Sequence, residues 1–381
     1  MSPRMRVGVV GGGVLGVSVA THLARAGASV VLVSDGPLTS SASGRSLSWL
    51  NSAGERSDAY HRLRMAGIDR YRTLFTHHPD ADWLRFDGGV TWNAPGEGAA
   101  LLATHTHERA IGYDSVLLSP RQVAERFPAI DATAIPVDGA IWNPGEGWVD
   151  LPSLVEVLVA ELRAYGGEVV VGAGPARLEV GATGVTGVRA ANGGYWPVDA
   201  AVLATGAGVP QAAAELGVTI PEATPVALLV RTEPVATGLR TVLNTPRAAV
   251  RPAPGGGLCV DADWITPSIV GDVEQGWSAA DDLVAELLHE GSKLLAGCPA
   301  LRAASVGIGH KPIPADGEPV VGALPGVPGA HVAFTHSGAT LGLILGELLA
   351  AQVLSGEQPA LLAPFTPARF GATAPEPVLA S

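Results

Sequence analysis

The sequence predicts an α/β fold with a second, α+β domain inserted into it, and three stretches predict it. Residues 7–36, "VGVVGGGVLGVSVATHLARAGASVVLVSDG", read as strand, glycine turn, helix, strand. Residues 199–208, "DAAVLATGAG", read as a buried strand ending in a glycine turn. Residues 331–354, "HVAFTHSGATLGLILGELLAAQVL", repeat the order strand, glycine turn, helix. Between them lie turn-rich stretches suited to an antiparallel or mixed sheet. The expected division is therefore one domain from residues 1–80, 145–220 and 305–381, and a second from 81–144 and 221–304.

Each element has a local reason. Val7, Val9 and Val10 are β-branched, as in a strand buried on both faces. Helix signals follow from Val14 to Ala26, and Gly27 ends them. Ser29–Val33 is a second buried strand. A long helix is expected over 57–78, capped by Ser57 or Asp58 and stopped by Pro79. Segment 84–93 alternates, as in a small antiparallel sheet. In "LLSPRQVAERFP" (117–128), Ser119 is the cap, Pro120 the first helical residue and Pro128 the terminator. Residues 147–171 read helix, Gly-Gly, strand. Strands are expected near 225–233, 247–252 and 258–262, then a helix over 279–295. The tail from Gly371 is expected to fray.

Composition excludes several function classes. The net charge is −12, which argues against nucleic acid or an anionic membrane surface as partner. Arg4 and Arg6 precede an apolar run, but Gly11–Gly13 break it after a few residues, and no 18-residue apolar span is evident. Cys259 and Cys298 have no metal-ligand spacing and read as buried free thiols. A reducing cytoplasm is the expected compartment, and no metal site is expected.

The first glycine turn carries chemistry. Gly11-x-Gly13-x-x-Gly16 lies directly between strand and helix. Gly11 permits the tight turn, Gly13 lets backbone approach a pyrophosphate, and Gly16 lets helix pack on strand. The helix N-terminus then offers free N–H groups and a positive dipole end to phosphates. The second strand of such a Rossmann-like unit usually ends in an acid that binds ribose hydroxyls. Here that place holds Ser34, with Asp35 one residue later. Either a bulge re-aims Asp35 or Ser34 serves with a weaker hydrogen bond. Loss of the acid keeps NADP open, yet residues 36–44 hold no Arg for a 2′-phosphate, which argues against it.

Three further stretches identify a family. "SSASGRSLSWL" (40–50), "VLATGAG" (202–208) and "GHKPIPADGEPVVG" (309–322), which leads into "THSGATLGLILGELLA" (335–350), follow the opening motif in order. Together they resemble the D-amino-acid oxidase, glycine oxidase and sarcosine oxidase family over roughly residues 5–355. The resemblance implies an FAD-binding domain and a substrate domain. It implies oxidation of a C–N bond in an amine or amino acid, with hydride passing to flavin and the imine hydrolysing. Oxygen, or in a dehydrogenase an electron carrier, takes the electrons. It also implies FAD contacts at Gly11, Gly13, Gly16, Ser43, Gly44, Arg45, Ser46, Thr205, Gly206, Gly338, Thr340 and Leu341. Ser34 and Asp35 join this set from the reading of the second strand. Independently, a helix opening at Gly338 aims N–H groups where reduced flavin is anionic.

The chain departs from the family at the substrate site. Relatives often carry Gly-x-Arg-Pro, whose Arg clamps a carboxylate; here the run is Gly309-His310-Lys311-Pro312. Lys lacks the bidentate fork. Lys293 and Lys311 are the only lysines among 24 Lys and Arg, so Lys311 is expected to face substrate or oxygen rather than bulk water. Sarcosine oxidase-like relatives attach FAD through a Cys that aligns with Gly309, so non-covalent FAD is expected. His310 and His336 are further catalytic candidates, and Arg251, His61 and Tyr60 are substrate-contact candidates. Trp49, Trp92, Trp142, Trp148 and Trp264 either line a pocket or fill the core. A protein that binds flavin with a decayed site is the remaining alternative, supported by Ser34 and Lys311 alone.

Overall fold

The computed structural model describes residues 4–272 and 274–371. The tail beyond Gly371, expected to fray, lies outside the described residues. The chain divides into two compact units, one from residues 1–44, 151–225 and 310–381, the other from 45–150 and 226–309. The first unit has three segments and the second two, and residues 45–80, expected in the first, lie in the second. Residues 45–80 join the second unit because Trp49–Leu50 pairs antiparallel with Gly147–Val149, which also pairs with Leu84–Arg85. A two-residue strand whose partner lies about a hundred residues on gives no local signal of its allegiance.

The first unit is built on a six-stranded sheet. Its order is Val320–Ala323, Ala330–Phe334, Ala200–Leu203, Arg6–Val10, Ser29–Val33 and Glu168–Val170. All neighbours are parallel except the first pair. Strands buried on both faces need cover from both sides. The helices Leu151–Ala164 and Gly338–Ser355 both pack against helix Val14–Arg25. A three-stranded antiparallel sheet, Ala176–Gly181, Gly184–Ala190 and Tyr195–Pro197, packs through Val188 and Leu178 into the core of the parallel sheet.

Helix Gly338–Ser355 corrects one expectation. By length and composition alone it is apolar enough to cross a membrane, although 67 % of it is buried inside the protein. It is a core helix: a Cβ on Gly346 would strike Ser18 Oγ, so the helix approaches Val14–Arg25 through a bare backbone position.

The second unit carries an eight-stranded mixed sheet. Its order is Ala303–His310, Val226–Thr232, Leu258–Asp261, Ala249–Pro252, Val242–Asn244, Gly89–Thr91, Ala140–Asn143 and Val116–Leu118. Segment 84–93 therefore does not form one small sheet; its two strands serve two sheets. One face of the large sheet, with Val230, Val250 and Val260, packs on Leu287 and Leu288 of helix Asp281–Lys293. Alternation along the strands puts Arg231, Cys259 and Arg251 side by side on the opposite face. Helix Asp58–His77 starts as expected, with Ser57 Oγ accepting from Tyr60 N–H at 3.2 Å. Helix Pro120–Arg126 has a full capping box between Ser119 and Gln122. Helix Gly98–Ala110 is an addition to the expected elements. Its apolar and polar residues do not alternate at helical spacing, so it leaves little periodic signal.

Candidate functional site

In the first unit the glycine turn is closed around bare backbone. Gly11 has φ +127, and a Cβ there would strike the Ala204 carbonyl. A Cβ on Gly16 would strike the Gly11 carbonyl, so helix and turn touch backbone to backbone. Gly13 ends the turn as the N-cap of the helix and supplies no capping side chain. The loop after the second strand folds back over this turn. Thr39 N–H donates to Gly12 O at 3.0 Å, and Ser43 Oγ accepts from Val14 N–H at 3.0 Å. A hydroxyl oxygen thus sits where a helix N-terminus attracts negative charge. A Cβ on Gly44 would strike the Thr39 carbonyl, so Gly44 is needed for the loop to close.

The structure separates the two candidates for the missing acid. Ser34 is 2 % exposed, and its Oγ lies against Gly12. Asp35 is exposed, and its carboxylate accepts from its own neighbour, Gly36 N–H, at 2.7 Å. No bulge brings Asp35 to the turn.

Two more predicted positions converge on the same place. A Cβ on Gly338 would lie 3.7 Å from Val14 Cγ1, so the last helix begins beside the first turn of the first helix. Thr340 and Leu341 follow it into the core at 1 % and 0 % exposure. Thr205 closes the middle strand, and its Oγ1 is buried without a hydrogen-bond partner. Gly206 follows at φ +60. Two adjoining helix N-termini at a bare glycine turn fit a phosphate-bearing dinucleotide. The residues that would hold FAD in this unit are Gly11, Gly13, Gly16, Ser34, Ser43, Thr205, Gly206 and Gly338.

His310 and His336 are exposed, and Lys311 is half-buried with its N–H donating to Pro225 O at 2.8 Å. His336 lies between the strand Ala330–Phe334 and the Gly338 turn.

Arg45 and Ser46 belong to the second unit. The Arg45 side chain runs along Gly307 and Gly309, and a Cβ on Gly309 would strike its terminal nitrogen. Ser46 Oγ accepts from Ser48 N–H at 3.0 Å. Arg251 is fully buried. It donates from Nε to Leu47 O, from Nη1 to Pro252 O at 2.7 Å, and from Nη2 to Asp150 at 3.4 Å. Its donors are thus directed at protein groups rather than at a ligand. Arg231, on the neighbouring strand pair, shares the same Asp150 oxygen at 2.9 Å.

Tyr60, His61 and Trp49 lie in a polar network whose other members the sequence does not announce. Glu146 is fully buried and accepts from Trp49 Nε1 at 2.7 Å and from Tyr113 OH at 2.5 Å. Burial pushes its carboxyl up to about 8, and a Cβ on Gly89 would strike it. Burial also raises the Tyr113 hydroxyl well above its ordinary value, with Glu146 adding to the effect. Ser52 N–H donates to Tyr113 OH at 2.9 Å, and Ser52 Oγ lies 2.9 Å from His61 Nδ1. Burial lowers the His61 pKa. Arg64 is buried and holds Asn51 O, Asn51 Oδ1 and Tyr60 OH. The Trp49 contact with Glu146 places that tryptophan in the network. Trp148 stacks under Arg251, while Trp92, Trp142 and Trp264 pack with the core. Cys259 is buried as expected, but Cys298 is exposed, at φ +43 in a turn, with its Sγ 3.7 Å from Asp131.

The family model for FAD dependent oxidoreductases, DAO, matches residues 6–352. The chain belongs to this family. It is an FAD-dependent oxidoreductase. Glycine oxidase of Geobacillus kaustophilus is 27 % identical over 390 residues, covering 96 % of this chain and 97 % of the relative. The crystal structure of that glycine oxidase superposes with a TM-score of 0.80 at 22 % identity, over 95 % of this chain and 98 % of its own. L-amino acid deaminase of Proteus vulgaris, with its specific insertion deleted, gives 0.81 at 20 % identity, over 97 % and 95 %.

Proposed function

We propose that this oxidoreductase oxidises the C–N bond of an amine or amino acid, using non-covalently held FAD. The observation that carries the reading is the meeting of two helix N-termini, at Val14 and Gly338, at the bare glycine turn. It occurs in a chain whose relatives include a glycine oxidase and an L-amino acid deaminase. When bound, FAD supplies the two-electron acceptor for a hydride from the carbon that bears nitrogen. The glycine turn and the Val14 helix end hold its phosphates, and Ser34 stands in for the ribose-binding acid. The Gly338 helix end stabilises negative charge with its free N–H groups. Lys311 brings a positive charge to the substrate or to oxygen, and His310 and His336 are the other polar groups offered to the reaction. The substrate leaves as an imine that water hydrolyses, and oxygen is the final acceptor, giving peroxide.

Non-covalent attachment rests on Gly309, which has no thiol and is already overlain by Arg45. Acid precipitation of the yellow protein is expected to release the colour into the supernatant; colour kept in the pellet overturns this part. A peroxide-coupled screen of amines and amino acids on the purified protein tests the reaction. Bleaching of the flavin by a substrate without air, followed by rapid return on aeration, supports the oxidase. Slow return assigns a dehydrogenase, and no bleaching by any amine or amino acid overturns the reading.

A further inference from the structure

The segment from Trp49 to Gly54 continues the loop that carries Ser43, Gly44, Arg45 and Ser46. Past its two-residue strand it has no regular structure until the cap at Ser57. Its polar groups are held one by one by side chains from elsewhere in the second unit. Glu146 accepts from Trp49 Nε1, Arg64 donates to Asn51 O and Oδ1, Tyr113 OH accepts from Ser52 N–H, and Glu108 accepts from Gly54 N–H. Arg64, Glu108 and Glu146 are each no more than 3 % exposed. Loops ordinarily give their backbone groups to water. Burying ionisable side chains is costly, so what this arrangement secures is a fixed geometry rather than stability.

Glu146 reaches the segment twice. One carboxyl oxygen takes Trp49 directly, and the other takes Tyr113, which in turn holds Ser52. Strand Gly89–Thr91 backs the carboxyl with a bare position, since a Cβ on Gly89 would strike it. Among the described residues, the charged and titratable groups that act on it are Tyr113, Glu108 from helix Gly98–Ala110, Arg64 from helix Asp58–His77 and Arg56 ahead of that helix. Arg72 holds the carbonyl of neighbouring Gly145 at 2.6 Å. An indole N–H can only donate. An ionised Glu146 therefore accepts from both Trp49 and Tyr113. A neutral Glu146 must give its proton to the Tyr113 oxygen, because Trp49 offers no acceptor. Gaining a proton thus reverses the bond to Tyr113. The Tyr113 oxygen then accepts from Ser52 N–H and Glu146 at once, and its own phenol proton leaves Glu146.

We infer that Glu146 is a positioning residue for FAD: through Trp49 and Tyr113 it fixes the chain that continues from Arg45 and Ser46, and the reversal of its bond to Tyr113 makes cofactor affinity depend on pH. The inference rests on the proposed function above, with Arg45 and Ser46 as cofactor contacts. Glu146 acts along this chain and needs no contact with the cofactor. Burial raises its carboxyl to about 8, against the opposing bonds from Tyr113 and Trp49. It therefore changes state above the lowered His61 and below the raised Tyr113. The ionised form accepts at both anchors, so FAD binds more tightly as pH rises through about 8. Linkage requires the converse, that binding FAD releases protons in this window.

The test measures the FAD affinity of stripped wild type, Glu146→Gln and Tyr113→Phe from pH 6.5 to 9. A Gln amide donates where a neutral carboxyl does, so Glu146→Gln holds the neutral arrangement at every pH. Expected is a wild-type affinity about threefold higher at pH 9 than at pH 6.5, a fraction of one hydrogen bond. The Glu146→Gln affinity is expected to stay level at the wild-type value for pH 6.5. Calorimetry at pH 8 in buffers of different protonation enthalpy is expected to show more protons released on FAD binding by wild type than by Glu146→Gln. The Trp49 indole N–H resonance, identified by its loss in Trp49→Phe, is expected to titrate near pH 8 in wild type and not in Glu146→Gln. A wild-type affinity that ignores pH overturns the inference, as does a step that persists in Glu146→Gln. Affinity lost by the same factor at every pH, with a lowered melting temperature, also overturns it, since Glu146 would then be structural only. Should Glu146→Gln not fold, Tyr113→Phe decides: it removes the bond that reverses, and a step retained there overturns the inference. If the step appears while no amine or amino acid is oxidised, Glu146 keeps its role and the oxidase reading falls; if substrates are oxidised and the step is absent, the inference alone falls.

Discussion

Glu146 is the residue whose chemistry departs furthest from its type. Its carboxyl titrates near 4.5 in an unfolded chain and about 8 in the protein, because burial disfavours the charge. Between those values the folded state holds a proton that the unfolded state has lost. Stability from this group is therefore full below about pH 4.5 and falls as pH rises to about 8, by at most about 5 kcal/mol. Glu146→Gln, which can still meet Trp49 and Tyr113, removes the dependence. Denaturant midpoints at pH 5.5 and 8 are expected to converge in the variant and to separate in wild type; parallel behaviour would show an ionised Glu146. Nothing in the sequence announces this pair, because Tyr113 and Glu146 are 33 residues apart and meet only through folding.

At the scale of the element, the strand-turn-helix beginning at Arg6 was readable because each of its requirements is local. Gly16 is the strictest of them: the neighbour a Cβ would strike is backbone, which cannot swing aside. Gly16→Ala is expected to cost about 1–3 kcal/mol and to weaken FAD retention. Unchanged denaturant midpoint and flavin content would refute that. Ser34 offers the opposite experiment. It occupies the strand end that Asp35 does not reach, so Ser34→Glu is expected to tighten FAD binding by about 1.5–3 kcal/mol, one charge-assisted hydrogen bond. Affinity that stays level in a flavin titration would mean that a backbone group already fills the role. The segment 45–80 shows where local reading stops. Its long helix was legible, but its membership was decided by the pairing of Trp49 with Trp148, which no local pattern encodes.

For the whole molecule, FAD acts as a ligand of the native state alone. Adding it to stripped protein at about a hundred times its dissociation constant is expected to contribute about 2.7 kcal/mol, raising the melting temperature by several degrees. A melting temperature indifferent to FAD would place the cofactor outside the folded core. The division of the chain has one more consequence, for a protein made from its N-terminus onward. The second unit has all its strands once residue 309 is synthesised. The first unit does not. Its strand Arg6–Val10 is made well before Ala200–Leu203, to which it is bound, and Ala330–Phe334 on the far side comes later still. At ribosomal speeds of about 5–20 residues per second, those early strands wait roughly 15–65 s for the last ones. For the later part of that interval the sheet ends at Ala200–Leu203, whose next partner, Ala330–Phe334, is still to be made. The inserted unit is then the elder of the two, and the sheet that carries the glycine turn, begun before it, is completed after it.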